Sequence, residues 1–235
     1  MPILEVSDLT MAYGGLTALE HLSFSVEEGD YLCIVGENGS GKSTLIKALL
    51  GLQSPKSGKI IYNGITPRDI GYLPQQTSVQ RDFPATVWEV VLSGNLSKKP
   101  FWRPFYSGTE RARAQKVLEQ VGLSELRTRP IRALSGGQRQ RVLIARALCA
   151  AKEMLILDEP AAALDPAASS RLYARIDHLN HEHGVTVLMV THSLEAAHHA
   201  GKILYLGHHE SFFGSTEEFF AGSHAESLNG GEDHV

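Results

Sequence analysis

The nine residues Gly36-Glu37-Asn38-Gly39-Ser40-Gly41-Lys42-Ser43-Thr44 constrain this chain more than any other stretch. Three glycines let the backbone curl so that successive N–H groups turn inward, which makes a seat for an anion. Lys42 adds a full positive charge, and the Ser43 hydroxyl can ligate magnesium. The pattern is G-x-x-x-x-G-K-[ST], that of a phosphate-binding loop, and its natural occupant is a triphosphate. The flanks set the local fold. Tyr31-Leu32-Cys33-Ile34-Val35 predicts a short buried strand, and Ser43 to Leu50 predicts a helix whose positive end faces the anion. A Gly-rich turn without a ligand has no use for Lys42 and Ser43 in that place.

The rest of the chain alternates in a matching way. Residues 2–35 are strand-like: Ile3, Glu5, Leu9 and Met11 fall in an extended pattern, and Leu22 to Val26 alternates apolar with polar. Turns are expected at Glu27 to Asp30 and at Pro55 to Gly58, the latter leading into a strand at Lys59 to Tyr62. Ile70 to Leu73, Glu153 to Leu157 and Val185 to Val190 are further apolar strands. Helices are expected at Thr86 to Leu92, Glu110 to Val121, Ser135 to Leu148, Ala167 to His181 and Leu194 to His199, with a polar loop over Ser97 to Gly108. Helices alternating with buried strands predict an α/β fold with a mostly parallel sheet, into which a helical block is inserted. Residues 222–235 are rich in Gly, Ser and acid and are expected to form a loose tail.

Bulk properties narrow the class. A net charge of −4 with no basic block argues against duplex nucleic acid as the partner. Cys33 and Cys149 each lie in an apolar run, so buried thiols are expected rather than a disulfide framework. Glu5 and Asp8 stand where a leader would be basic and then apolar, so no signal peptide is expected. No apolar run approaches the roughly 20 residues that cross a bilayer.

Several further groups suit phosphate chemistry. Met154 to Leu157 runs into Asp158-Glu159-Pro160. A carboxylate at such a strand end can hold magnesium through its shell, and the next can orient an attacking water. Leu134-Ser135-Gly136-Gly137-Gln138 opens a helix. Ser135 can cap it, and the glycines leave N–H groups at its positive end, which makes a second anion site or a plain cap. Gln75 can bring an amide oxygen to the metal or be a surface turn residue. His192 can hydrogen-bond a γ-phosphate or be structural. Tyr13 can stack on adenine or pack in the core.

In this order the motifs resemble the nucleotide-binding subunit of ATP-binding cassette transporters, from about residue 3 to 220, and Leu134 to Gln138 is that family's signature. The resemblance implies a phosphate-loop NTPase core with a mostly parallel sheet, an antiparallel β subdomain and a helical lobe of about 77–150 inserted in it. It implies one domain over 1–221, with 222–235 as tail. ATP and magnesium are the implied cofactors. Tyr13, Gly36 to Thr44 and Ser135 to Gln138 would bind the nucleotide. Ser43, Gln75 and Asp158 would hold the metal. Glu159 would be the catalytic glutamate, His192 the switch histidine, and Gln75 the sensor of the membrane partner. Asp165 would lie in the loop that crosses the dimer interface. Ala161-Ala162-Ala163 departs from relatives that carry threonine and serine there, which puts some hydroxyl contacts across the dimer in question. The implied assembly is a head-to-tail homodimer. The phosphate loop of one subunit and the Ser135 segment of the other enclose each ATP, on the cytoplasmic face of the membrane. Integral permease subunits would be its direct partners, and a substrate-binding protein an indirect one.

Phe83 to Val91 and Phe213 to Phe219 resemble the zinc or manganese uptake branch, with ferric-siderophore and cobalamin importers as the alternative. Non-transport relatives fit less well. The translation type carries two cassettes, and the chromosome type inserts a long coiled coil where this chain has only residues 45–133. A binding module that has lost hydrolysis would not need Lys42, Glu159 and His192 together. The histidines of the C-terminal third, His178, His181, His183, His198, His199, His208, His209, His224 and His234, show no zinc-ligand spacing and are expected to be solvated. Lys98, Lys99 and Arg103, with Phe101, Trp102, Phe105 and Tyr106, form a basic-aromatic loop that could touch lipid headgroups or the membrane subunit; an ordinary surface loop with a small apolar anchor is the expectation.

Overall fold

The computed structural model describes residues 1–14, 16–75, 84–98, 105–207 and 210–222, without the side chains of Tyr13, Ser97 and Lys98. The expectations for Lys99, Phe101, Trp102, Arg103, His208, His209, His224, His234 and the tail from residue 223 lie outside the described residues. The chain divides into two compact units, Met1–Pro67 with Gly184–Val235, and Arg68–His183.

In the first unit, strands β1 (Leu4–Tyr13), β2 (Leu16–Val26) and β4 (Ser57–Tyr62) form an antiparallel sheet in the order β2-β1-β4. β1 is the centre, with Val6 opposite Phe24 on one side and Ile60 on the other. β3 (Tyr31–Gly36) belongs to a different sheet. It lies parallel to β7 (Thr186–Val190) and to β8 (Lys202–Leu206). All six β3 residues are buried, as expected of a parallel strand covered on both faces. Helix α1 (Lys42–Leu49) follows β3. β9 (Ser211–Ser215) pairs antiparallel with β8, and α7 (Thr216–Ala221) follows it. Neither β8, β9 nor α7 is anticipated above, although Ile203 to Leu206 is an apolar run and Ser215 with Glu218 forms a capping box. The short α6 (Leu194–Ala197) ends two residues before the expected His199.

The second unit holds a parallel pair, β5 (Ile70–Leu73) and β6 (Met154–Asp158), with Tyr72 level with Ile156. Between them in the chain come α2 (Val87–Ser93), α3 (Gly108–Gln120) and α4 (Gly136–Ala150), and α5 (Pro166–His183) follows β6. The fold is therefore α/β, with mostly parallel pairing, a separate antiparallel sheet and a helical block, as the sequence indicates. α3 starts two residues before the expected Glu110. The reason is local: Ser107 is the N-cap and Glu110 the third helical residue, and each side chain satisfies the other's backbone N–H. Thr86 and Glu89 do the same for α2. Gly94, at the end of α2, lies against α4. A Cβ there would run into the Arg146 carbonyl oxygen and stand 2.9 Å from the Cys149 Cβ.

Gly94→Ala should therefore destabilise the fold by about 1–3 kcal/mol, read as a lower urea midpoint, because the α2–α4 contact must open. Acid should weaken the capping boxes. Backbone N–H groups of Thr86 and Ser215 hold the Glu89 and Glu218 carboxyls below their ordinary value of 4.5. A lowered folded-state value contributes stability above 4.5 that is lost as pH falls through it. The urea-midpoint gap between the parent and a Glu89→Gln, Glu218→Gln double variant should shrink on acidification; a gap independent of pH would contradict this.

Candidate functional site

Among the described α-helices, each except α1 is capped by a side chain. Thr86, Ser107, Ser135, Ser193 and Ser215 each accept a backbone N–H in the first turn of α2, α3, α4, α6 and α7. The Asp165 carboxylate accepts from Ala168 N at 2.9 Å and does this for α5. α1 begins at Gly41, which makes no side-chain cap, and its first turn carries no acidic residue. A helix start leaves N–H groups that need acceptors, and the helix dipole adds positive potential there. The sequence has withheld the usual internal acceptor at this one place.

The loop leading to α1 is held by close approach. A Cβ on Gly36 would collide with the Leu206 carbonyl oxygen and come within 2.8 Å of Ser40 Oγ. Ser40 is buried, and its hydroxyl has no hydrogen-bond partner. Lys42 Nζ donates to the carbonyl oxygens of Gly36 and Glu37, both at 2.6 Å, so the ammonium is fixed over the loop. Glu37, Asn38, Gly39 and Ser43 are exposed, and Thr44 is half-buried. On the neighbouring strand Ile34 pairs with Val190, and Thr191 N donates to Ile34 O at 3.1 Å. The phosphate loop and the exposed His192 thus leave adjacent parallel strands at their carboxyl ends, the usual ligand edge of an α/β sheet. Tyr13 is the last residue of β1, opposite Leu16, and the stacking expected of its ring falls outside the described side chains.

The other expected residues lie in the second unit. Asp158 ends β6, and the Tyr72 hydroxyl donates to its Oδ2 at 3.3 Å. Burial, reinforced by the negative Asp158, pushes the Tyr72 phenol up to about 12, so it remains a donor at neutral pH. Glu159 follows with φ 48°, a left-handed backbone that costs a non-glycine residue about 1 kcal/mol or more and marks an over-determined position. Gln75 lies two residues beyond β5. With Glu159, Gly136, Arg139 and Gln140 it lines a hollow of about 190 Å³. Ser135 caps α4 as expected. Its Oγ accepts from Gln138 N at 3.3 Å, and Gln138 Oε1 accepts from Ser135 N at 3.0 Å. Ser135 to Gln138 also open onto a larger hollow of about 680 Å³, shared with Asp165, Arg141, Arg171 and Arg175. Tyr72 and Arg139 are the residues that sequence reasoning passed over. Tyr72 stands in the same short strand as the approach to Gln75, and Arg139 directly follows the signature.

Among the described residues no three His, Cys, Asp or Glu side chains converge to hold a metal ion. His181 Nδ1 lies 3.1 Å from Asp177 Oδ1, and the His178 and His183 rings meet edge to face at 5.2 Å. No helix among the described residues is long and apolar enough to cross a membrane.

The sequence matches the ABC transporter family over residues 19–162. The chain belongs to that family, as an ATP-binding cassette whose activity is ATP hydrolysis. It is 38% identical over 200 residues to the zinc transport system ATP-binding protein AdcC of Streptococcus pneumoniae, covering 83% of this chain and 85% of that one. It is 39% identical over 233 residues to the manganese transport system ATP-binding protein MntB of Bacillus subtilis, covering 97% and 92%. Among solved structures it superposes with a TM-score of 0.86 and 31% identity on an ABC transporter described as metal-chelate type, in an inward-facing conformation, covering 98% of this chain and 90% of that one.

Lys42→Ala should weaken ATP binding about ten- to a hundredfold, since charge-assisted contacts contribute about 1.5–3 kcal/mol each. Calorimetric titration of the full chain with ATP checks this; unchanged affinity would contradict it.

Proposed function

We propose that this chain is the ATP-hydrolysing subunit of a bacterial importer for divalent metal ions, zinc or manganese. In this reading it works as a head-to-tail homodimer on the cytoplasmic face of the membrane and drives separate permease subunits, served by a substrate-binding protein. The uncapped start of α1 supports the nucleotide part most directly. The zinc and manganese relatives support the cargo. The metal-chelate neighbour favours a second reading, an importer of ferric siderophore or cobalamin.

The roles follow from residue chemistry. The donors at the start of α1 and Lys42 hold the ATP phosphates, and Tyr13 supports the base. Ser135, Gly136, Gly137 and Gln138 grip the nucleotide of the other subunit. Ser43, Asp158 and Gln75 offer oxygen ligands, which suit the hard cation magnesium. Bound there, magnesium would neutralise charge on the β- and γ-phosphates. Glu159 orients and deprotonates the attacking water, and His192 hydrogen-bonds the γ-phosphate. Tyr72 fixes the direction of the Asp158 carboxylate. Domain 1–221 with its lobe at 77–150 passes closure of the dimer to the permease.

Glu159→Gln should lower turnover about a hundredfold or more and accumulate an ATP-bound dimer with ATP and magnesium, seen by size-exclusion chromatography with light scattering. A variant that still hydrolyses, or stays monomeric with its membrane partner supplied, would overturn the reading. Tyr72→Phe should raise the magnesium concentration for half-maximal turnover about tenfold, as losing a ligand's supporting hydrogen bond does elsewhere. In vesicles containing the permease and binding protein, zinc or manganese should stimulate hydrolysis. Stimulation by a ferric siderophore or cobalamin alone would favour the second reading.

A further inference from the structure

Arg139 stands in the first turn of α4, and its backbone N–H donates to Ser135 O at 2.9 Å. Its Nη2 donates to Leu134 O at 3.2 Å. Its Nε is buried and has no hydrogen-bond partner. A buried charged donor left unmade costs more than a neutral one. Such a group calls for an acceptor, and a charged acceptor offers the strongest bond. Arg139 lines the hollow of about 190 Å³ with Gln75, Gly136, Gln140, Glu159, Pro160 and the short alanine run before Leu164. Glu159 is the single carboxylate among those lining residues. Its backbone is left-handed, φ 48°, a conformation that a non-glycine residue rarely adopts.

We infer that Arg139 is a positioning residue for Glu159: when nucleotide is engaged, the Arg139 Nε–H, unpartnered in this structure, takes the Glu159 carboxylate across the shared hollow and sets where that carboxylate points. Gln75 borders the same hollow, but its amide oxygen is neutral and the weaker acceptor. The inference rests on the reading of Glu159 as the residue that activates water. In the head-to-tail dimer it has a consequence for coupling. Arg139 stands on the helix whose tip grips the partner's ATP, and Glu159 acts on the ATP of its own phosphate loop. One side chain then links the two nucleotide sites within a single chain, so that engagement of the Ser135 tip is felt at Glu159.

The test uses the full chain with Arg139→Met, which keeps the apolar stem and removes every donor, and Arg139→Lys, which restores a charged donor. Arg139→Met should lower kcat about tenfold or more with KM for ATP within about twofold of the parent, and Arg139→Lys should recover most of the loss. In a Glu159→Gln background, adding Arg139→Met should leave ATP affinity and ATP-dependent dimerisation unchanged, because the charged partner is already gone. Arg139→Met turning over within about twofold of the parent would overturn the inference. So would an equal loss in the Met and Lys variants, which would mark a packing role. Should Arg139→Met fail to fold, Arg139→Gln is read against the same criteria. If Glu159→Gln still hydrolyses ATP, the assignment of Glu159 fails. If it does not, while Arg139→Met is like the parent, the positioning role alone fails.

Discussion

Backbone N–H groups at the start of a helix must find acceptors, and this chain answers that demand in two ways. Six helices carry their own acceptor in Thr86, Ser107, Ser135, Asp165, Ser193 or Ser215, worth about 1 kcal/mol each. α1 begins on Gly41 with none. In the proposed function its donors, with the Lys42 ammonium that the Gly36 carbonyl holds over the loop, serve an acceptor from outside. β3, buried along its whole length, holds that loop still from one side. A triphosphate, carrying several negative oxygens, matches this donor set better than any single side chain could.

The groups proposed for catalysis reflect the same local forces. Asp158 emerges from an apolar strand with a tyrosine hydroxyl already on its carboxylate. Glu159 sits in a backbone conformation that its residue type does not choose. Ser135 and Gln138 satisfy each other, so the tip of α4 is a stable structure in its own right and can still offer N–H groups from Gly136 and Gly137. The left-handed Glu159, like Asp8 and His21, and the unpartnered buried atoms of Ser40 and Arg139 are among the described places where local rules are broken, and functional sites are where such exceptions are expected.

Much of this was legible in the sequence because it rests on local pattern. The strand–loop–helix unit around residues 31–50, the apolar strand before Asp158 and the Ser135 cap all follow from neighbours in the chain. The start of α3 was legible too, in Ser107 and Glu110, but periodicity alone placed it two residues late. β8 and β9 escaped because β9 carries Phe212, Phe213 and Gly214 between polar ends, with no clean alternation, and its place is fixed by pairing with β8. Tyr72 and Arg139 escaped for a different reason. Tyr72's partner Asp158 lies far along the chain, and Arg139 shares its hollow with Gln75 and Glu159, residues that only packing brings together.

The central claim is that the bare first turn of α1 is where phosphate is held. Amide hydrogen exchange of the full chain, with and without ATP and magnesium, tests it directly. The account predicts strong protection of the amides from Gly39 to Thr44 on nucleotide addition, while the self-capped first turns of α2 and α3 exchange as before. Exchange at Gly39 to Thr44 that does not respond to saturating ATP would contradict it.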